Sequence, residues 1–435
     1  MSRRPLYLLF GLTTFVASFV ACSADPDGGT FDDDTSGSGD PSGSGASTSV
    51  STSDGVGGNF TTTSVGTGGN SGNTCSTPAN VDDDGDGFSE DDGDCNDCDA
   101  NTNPGAIEVV DDGQGGGEPA DEDCDGAVDN APAACDSALA LTDFDPVHGA
   151  QAIELCQTAT AGDKKWGVLE ADYVRADGSN ISGAEFLQAG IFDKFGTNVN
   201  VQGGSRMLGI SSGYARRVGD DDACNDYSCY TNFGGTAPPG FPQDVPNCTG
   251  DTAINDDIAL QLKVRSPKNA TGYKFAFKFY SFEFPEYVCT SFNDQFIALV
   301  TPNPAGSING NVSFDSAGNP VSVNVAYFDV CDPSGIGNYG ANCFGCVQPP
   351  QPYCPLGTGE LVQTGFEPSW GEDAGGTSWL QTQAPVTGGD EITIRFAIWD
   401  TGDTAWDSTA LIDNFQWIAN GGTVAIGTVP VEDPK

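Results

Sequence analysis

Hydrophobic and polar positions change rhythm several times along this chain. From Lys164 onward apolar residues alternate with polar ones, the period of a half-buried strand. Trp166–Val174 is the first such segment. In Asp257–Arg265 the beat falls on Ile258, Leu260, Leu262 and Val264. Tyr273, Phe275, Phe277 and Phe279 then alternate with Lys274, Ala276, Lys278 and Tyr280. Phe292–Val300, Val321–Phe328, Glu391–Trp399 and Thr409–Ile418 supply further strands, separated by long loops rich in Gly, Pro, Asn and Cys. One apolar face and one partly solvated face is the pattern of antiparallel sheets, and no βαβ rhythm appears. The pattern predicts an all-β fold over 164–420: an antiparallel, jelly-roll-like β-sandwich with long disulfide-rich loops, followed by a C-terminal tail, 421–435.

Upstream of this body the pattern is different. Asp145 can cap a helix and Pro146 fits its first turn, with Ile153, Leu155 and Cys156 giving apolar contacts. One short helix over 146–157 is expected in a linker spanning 131–163, with Cys156 placed to meet Cys135. Gly183–Gln188 is the other helical candidate. Ser23–Thr74 is almost all Gly, Ser, Thr and Asp, without periodicity, and reads as a disordered tether. Leu6–Ala21 is an apolar run behind Arg3 and Arg4, with the length of a signal peptide. Phe19-Val20-Ala21-Cys22 resembles a bacterial lipobox. That likeness implies a signal peptide over 1–21, a lipid on Cys22, and a flexible segment over 22–74. Ser23 after the cysteine points to the outer membrane. An ordinary signal peptide cut nearby is the alternative. No run of about 20 apolar residues offers a spanning helix.

Charge narrows the partners. The net charge of −46 is uneven: residues 1–163 hold 31 acidic and 2 basic side chains, residues 164–435 hold 31 and 14. Such a field repels nucleic acid and anionic lipid and concentrates divalent cations. Of fifteen cysteines, setting Cys22 aside leaves fourteen, an even number that an exported chain oxidises into bridges. Cys343, Cys346 and Cys354 must lie near one another, as must Cys224 and Cys229.

The acidic stretch over 75–130 carries the candidate chemistry. It has 19 Asp or Glu, no Lys or Arg, and too few apolar residues for a core. Asp82, Asp84 and Asp86 sit at the alternate positions that line a calcium loop, and Gly87 permits the turn. Glu90 falls at the ninth loop position, but Gly93 occupies the twelfth, so an EF-hand proper is excluded. Asp121, Asp123, Asp125 and Gly126 repeat the pattern, with Asp129 behind them. Asp94, Asp97 and Asp99 surround Cys95 and Cys98 in between. Hard oxygen donors in flexible loops suit Ca²⁺ better than Mg²⁺ or Zn²⁺. A spacer that binds no ion is the alternative. Zinc on Cys95-x-x-Cys98 lacks further close ligands, because the only histidine is His148.

Two resemblances attach to these residues. The boxes Asp82–Asp86, Gly93–Asp97, Pro104–Glu108 and Asp123–Gly126 resemble the MopE-type metal-binding motif of myxobacterial and related surface proteins. That motif carries a copper association, whereas the acids of this copy argue for calcium. Val110 stands where the motif has a cysteine, and an insertion, Asp112–Ala120, follows. The body resembles choice-of-anchor L surface domains. The likeness rests on Asn198–Gly204, Leu208–Arg216, Phe275–Tyr287, Phe292–Phe296, Trp399–Asp403 and Asp407–Phe415. It implies a β-rich extracellular domain without an agreed activity.

Within the body, Glu283, Glu286, Asn293, Asp294, Asp400, Asp403, Asp407 and Asp413 flank the predicted strands. They could converge on one ion, or serve as turn and edge residues. Phe282, Phe284 and Tyr287 read as core. Trp370, Trp379, Trp399, Trp406 and Trp417 could include a sugar-stacking ring, burial being the default. No Ser-His-Asp set can be built around His148, and no Lys-Ser/Thr follows Gly203-Gly204 to reach a phosphate. The sequence therefore predicts a non-enzymatic, calcium-binding surface lipoprotein with a structural, adhesive or ligand-recognition role. Its partners would be the outer membrane, through the lipid, and a surface polysaccharide or protein. A carbohydrate-binding module is the first rival reading, and an extracellular glycoside hydrolase with two facing carboxylates the second.

Overall fold

A computed structural model describes residues 77–109, 119–323, 354–367, 374–419 and 422–435, apart from positions 184, 225, 231, 233, 247, 285, 286, 432 and 433. The proposed signal segment, Cys22, the tether, Cys75, Val110, most of the Asp112–Ala120 insertion, Glu286, residues 324–328, Cys343, Cys346 and Trp370 lie outside the described residues.

The alternating segments form strands, though of Val321–Phe328 only Val321–Ser322 is strand among the described residues. They are β1 (Gly167–Val174), β6 (Ile254–Arg265), β7 (Ala270–Ser281), β8 (Gln295–Thr301), β9 (Val321–Ser322), β12 (Glu391–Thr401) and β13 (Ser408–Ala419). Further strands join them: β2 (Ala189–Phe192), β3 (Lys194–Phe195), β4 (Val199–Asn200), β5 (Met207–Ser211), β10 (Gly375–Gly376), β11 (Leu380–Pro385) and β14 (Gly427–Pro430). One sheet runs β1-β6-β12-β8-β9 and the other β14-β11-β7-β13-β5-β2, with β10 also on β7. The strand pairings within both sheets are antiparallel. Because β14 pairs with β11, the second sheet draws on the stretch expected as a tail.

The two sheets share one apolar interior. Leu260, Leu262 and Val264 of β6, Phe275, Phe277 and Phe279 of β7, and Phe296, Phe396 and Ile412 are all fully buried in it. Rings from opposite sheets meet there: Phe277 lies 5.0 Å from Phe296, and Phe275 lies 5.0 Å from Phe396. Each such side chain contributes about 1.5–3 kcal/mol by leaving water.

The outer faces depart from the expectation of a partly solvated sheet. A second apolar cluster, with Phe192, Phe195, Met207, Tyr280, Leu361 and Phe366, covers the β7 side of the second sheet. Ala259, Ile297, Ala397 and Trp399 form a third on the other sheet. Lys278, polar by alternation, is fully buried under this cover and paired with Glu360. Its charge is compensated by an acid from a segment far away in sequence, which is how a lysine can occupy an interior position.

The linker helix forms as α1 (Pro146–Gln151), and the Asp145 side chain accepts from the Val147 amide at 2.9 Å. Cys135 and Cys156 are bridged, which closes the linker on itself around α1. Ile153 and Leu155, just beyond α1, enter the shared core. Glu185–Leu187, inside the second helical candidate, makes a single 3-10 turn. The architecture is thus mostly antiparallel β with few helices, stapled also by Cys95–Cys124, Cys224–Cys229 and Cys248–Cys289.

Candidate metal centres

The acidic stretch folds without regular secondary structure apart from one 3-10 turn, Glu90–Asp92. Its organisation comes from carboxylates accepting from backbone amides. Asp82 accepts from Gly85 N at 2.6 Å and Gly87 N at 2.9 Å, Asp84 from Asp86 N at 3.1 Å, and Asp86 from Phe88 N at 2.7 Å. The second loop repeats the scheme. Asp121 accepts from Asp125 N and Gly126 N, both at 3.0 Å, Asp123 from Asp125 N at 3.1 Å, and Asp125 from Ala127 N at 2.8 Å. Gly87 and Gly126 hold φ of 100° and 93°, a left-handed conformation that favours glycine over residues with a Cβ. Equal spacing of Asp and Gly has produced similar turns, although Asp82 accepts from the third residue on and Asp121 from the fourth.

In the first loop the oxygens left over converge. Asp82, Asp84 and Asp86 offer carboxylate oxygens within 4.8 Å of one another, and so do Asp84, Asp94 and Asp97. Asp94 and Asp97 are 5% and 4% exposed, yet each keeps one oxygen with no donor, as do Asp84 and Asp86. Their other oxygens are used: Asn96 N bonds Asp94 at 2.8 Å, and Asp83 N bonds Asp97 at 2.9 Å. Loss of water and then the neighbouring aspartates push Asp94 up to about 6, and burial raises Asp84 and Asp86 as well. Buried oxygens crowded into two triads that share Asp84, without donors, are costly unless a cation takes their charge. The residues fit an oxygen-liganded divalent ion.

The second loop gathers differently. Glu108, Asp121 and Asp123 form one set within 4.8 Å, and Glu108, Glu122 and Asp129 form another. Glu108 takes Asp123 N at 3.4 Å on one oxygen and leaves the other without a donor, and burial lifts it to about 7. Glu122 accepts from Val109 N at 3.2 Å, and Asp129 keeps one unpartnered oxygen. Glu108 and Glu122 were not singled out by loop spacing. Glu108 closes the Pro104–Glu108 box, and that was the available signal.

The remaining predicted ligands stand outside these sets. Glu90 lies exposed in the 3-10 turn. Asp99 is exposed and accepts from the Asn101 backbone and side chain. Asp125 is held by Ala127 N and by Asn130 Nδ2 at 2.8 Å. Cys95 is bridged to Cys124 and Cys98 is also disulfide-bonded, so this pair presents no thiolates to a soft metal.

The module rests on the rim of the body. Asn269 exchanges two hydrogen bonds with Ile107, accepting from its N at 3.0 Å and donating to its O at 2.7 Å. Trp166 Nε1 donates to Ala106 O at 3.1 Å, and Lys164 Nζ reaches Gly87 O at 2.6 Å and Asp92 at 2.8 Å. Lysine therefore braces the first loop from outside, on its backbone, while the loop's inner oxygens stay clear.

The body carries a cavity of about 310 Å³ whose lining includes Tyr214, Tyr227, Phe282 and Phe366, with Arg216, Asp226 and Asp407 as polar groups. Its rings are engaged with one another: Tyr227 stacks on Trp406 at 5.9 Å, and Phe282 on Phe366 at 4.4 Å. Trp379 and Trp399 are buried, and Trp406 and Trp417 are half-buried. Phe282 and Phe284 are buried and Tyr287 half-buried. His148, within α1, pairs through Nδ1 with Asp143 at 2.5 Å.

No curated relative matches the chain. Among solved structures it is similar to the K1 cleaved adhesin domain of Lys-gingipain (Kgp) from Porphyromonas gingivalis W83. That similarity has 12% identity and a TM-score of 0.22, over 58% of this chain and 94% of that one. The family model described as the choice-of-anchor L domain matches residues 169–415. That span runs from within β1 to within β13 and takes in more than half of the sequence, and the chain belongs to the choice-of-anchor L family.

Proposed function

We propose that this chain is a calcium-stabilised cell-surface protein with an adhesive or ligand-recognition role, carried on the outer membrane by a lipid at Cys22. In this reading the module over 75–130 is of the MopE type and works as a cation clamp between the tether and the body. The observation that carries it is the set of donor-free oxygens of Asp84, Asp86, Asp94 and Asp97, gathered from two separate turns. Carboxylate oxygens in a flexible loop favour Ca²⁺, which accepts six to eight ligands, over Mg²⁺, which demands a compact octahedron. Copper would seek imidazole or thioether, and the module holds neither His nor Met. The clamp orders an otherwise self-repelling segment and fixes the body at a set distance from the tether.

Calorimetric titration of the full oxidised chain with calcium tests this. Asp94→Asn should weaken binding in the first loop by tenfold or more, and Glu108→Gln should do so in the second. Unchanged affinity in both variants would remove the clamp. A carbohydrate ligand is the second reading, favoured by the ring-lined cavity with Asp226 and Arg216 at its wall. Binding of acidic or neutral polysaccharide that persists in chelator would place recognition there and not on a bridging ion.

A further inference from the structure

The densest buried charge of the body closes one end of the two sheets. β6 begins there with Asn255–Asp257, β7 ends there and leads to Glu283, and Asp294 leads into β8. β12 ends there through Asp400, Asp407 leads into β13, and β5 ends in Ser211 and Ser212. Five strands from both sheets thus deliver acids to this end, and β5 adds serine hydroxyls. Asp256, Asp294, Asp400, Asp407 and Glu283 are between 0% and 4% exposed.

Protein donors satisfy only part of this set. Asp294 accepts from Thr401 N at 2.9 Å and Ser408 Oγ at 2.6 Å. Asp256 takes the Asn232 amide on one oxygen, and Asp407 takes Cys229 N at 2.9 Å on one oxygen. Asp256 Oδ2, Asp407 Oδ1 and both oxygens of Asp400 have no donor. The Ser212 hydroxyl stands between Asp400 and the Ser408 carbonyl, to which it donates at 3.3 Å. Arg175, the nearby guanidinium, is engaged by Glu185 and Asp257. The backbone is bent to make this arrangement. Asp256 holds a φ of +51°, and the β6–β12 ladder shifts register between Ile398 and Asp400. A bulge of this kind re-aims side chains, here towards an interior where four carboxylate oxygens have no hydrogen-bond donor.

We propose that a divalent cation of the calcium class is bound between the two sheets by Asp256, Asp294, Asp400 and Asp407. The carboxylate triads within 4.8 Å among the described residues lie in the acidic module, so the acids of this end are set wider. Oxygens around one calcium lie at most about 5 Å apart, so these carboxylates draw together on the ion, and the hydroxyl and carbonyl oxygens of Ser212 and Ser408 complete its shell. The ion ties three strands of one sheet to two of the other, and through Asn232 and Cys229 it orders the loop folded over that end. This site is independent of the module and does not rest on it.

The test counts calcium ions bound per full, oxidised chain by equilibrium dialysis and measures melting with and without chelator. Asp400→Asn should lose one ion, while Asp94→Asn keeps that ion. In chelator Asp400→Asn should melt higher than the parent, because one like charge is gone; in calcium it should melt lower. Asp407→Asn, nearer the surface, repeats the test should Asp400→Asn fold poorly. An unchanged ion count in a folded variant overturns the proposal. So does a loss of melting temperature that is equal in chelator and in calcium, which marks carboxyls that merely share a proton.

Discussion

Aspartate does opposite things in two regions of this molecule. In the module, Asp82 to Asp129 replace a core: Phe88 and Ala106 are its only buried apolar side chains among the described residues. Order there comes from amides bound to carboxylates, from Cys95–Cys124 and from contacts with the rim. In the body, Asp256, Asp294 and Asp400 sit at the end of a large apolar interior that would hold the sheets together without them. On the proposed reading the first region depends on an ion for its shape, whereas the second gains a clasp on a shape already made. Cation dependence should therefore be steep for the module and graded for the body.

The comparison can be broken at its strongest point first. Phe277 is fully buried at the centre of β7 and packs on Phe275 and Phe296. Phe277→Ala should cost about 3–5 kcal/mol. Chemical denaturation should show nearly the same loss in calcium and in chelator, since this part of the core makes no use of ions. A loss that vanished in chelator would mean that the body too is held chiefly by metal.

A smaller effect probes the seam between the regions. Asn269→Ala removes both hydrogen bonds to Ile107 and should cost about 1–3 kcal/mol, most of it from leaving Ile107 N and O unpaired. Limited proteolysis should then cut within 77–109 faster while the body stays intact. Equal protection of parent and variant would show that Lys164 and Trp166 suffice to dock the module.

Much of this was legible in the chain. β6, β7, β12 and β13 show in the alternation of Ile, Leu, Val and Phe, and α1 in Asp145-Pro146. β2 and β5 were not, because AGIF and MLGIS are buried on both faces and show no alternation. β11 alternates strictly in burial, but with Gln and Thr between only Leu380 and Ala384 as apolar residues. Lys278 read as a solvent-facing position because its partner, Glu360, lies in a distant 3-10 turn, Gly357–Leu361. The same limit applies to the sites. The Asp-x-Asp-x-Asp-Gly spacing marks Asp84 and Asp123, since the turn itself brings those oxygens round. Glu108, Glu122 and Asp256 reach their clusters by tertiary folding, and local spacing is silent about that. Asp294, Asp400 and Asp407 were visible as strand-end acids, without any indication that a bulge at Asp256 would join them.

The claim that cations substitute for a core in the module is met most directly by thermal unfolding of the full oxidised chain in calcium, in copper(II) and in chelator. The account predicts a separate, early transition in chelator that calcium alone removes. Each specific site should add about 2.7 kcal/mol when free calcium is a hundredfold above its dissociation constant. A melting profile identical in all three conditions would contradict it and reduce the acidic stretch to a charged spacer.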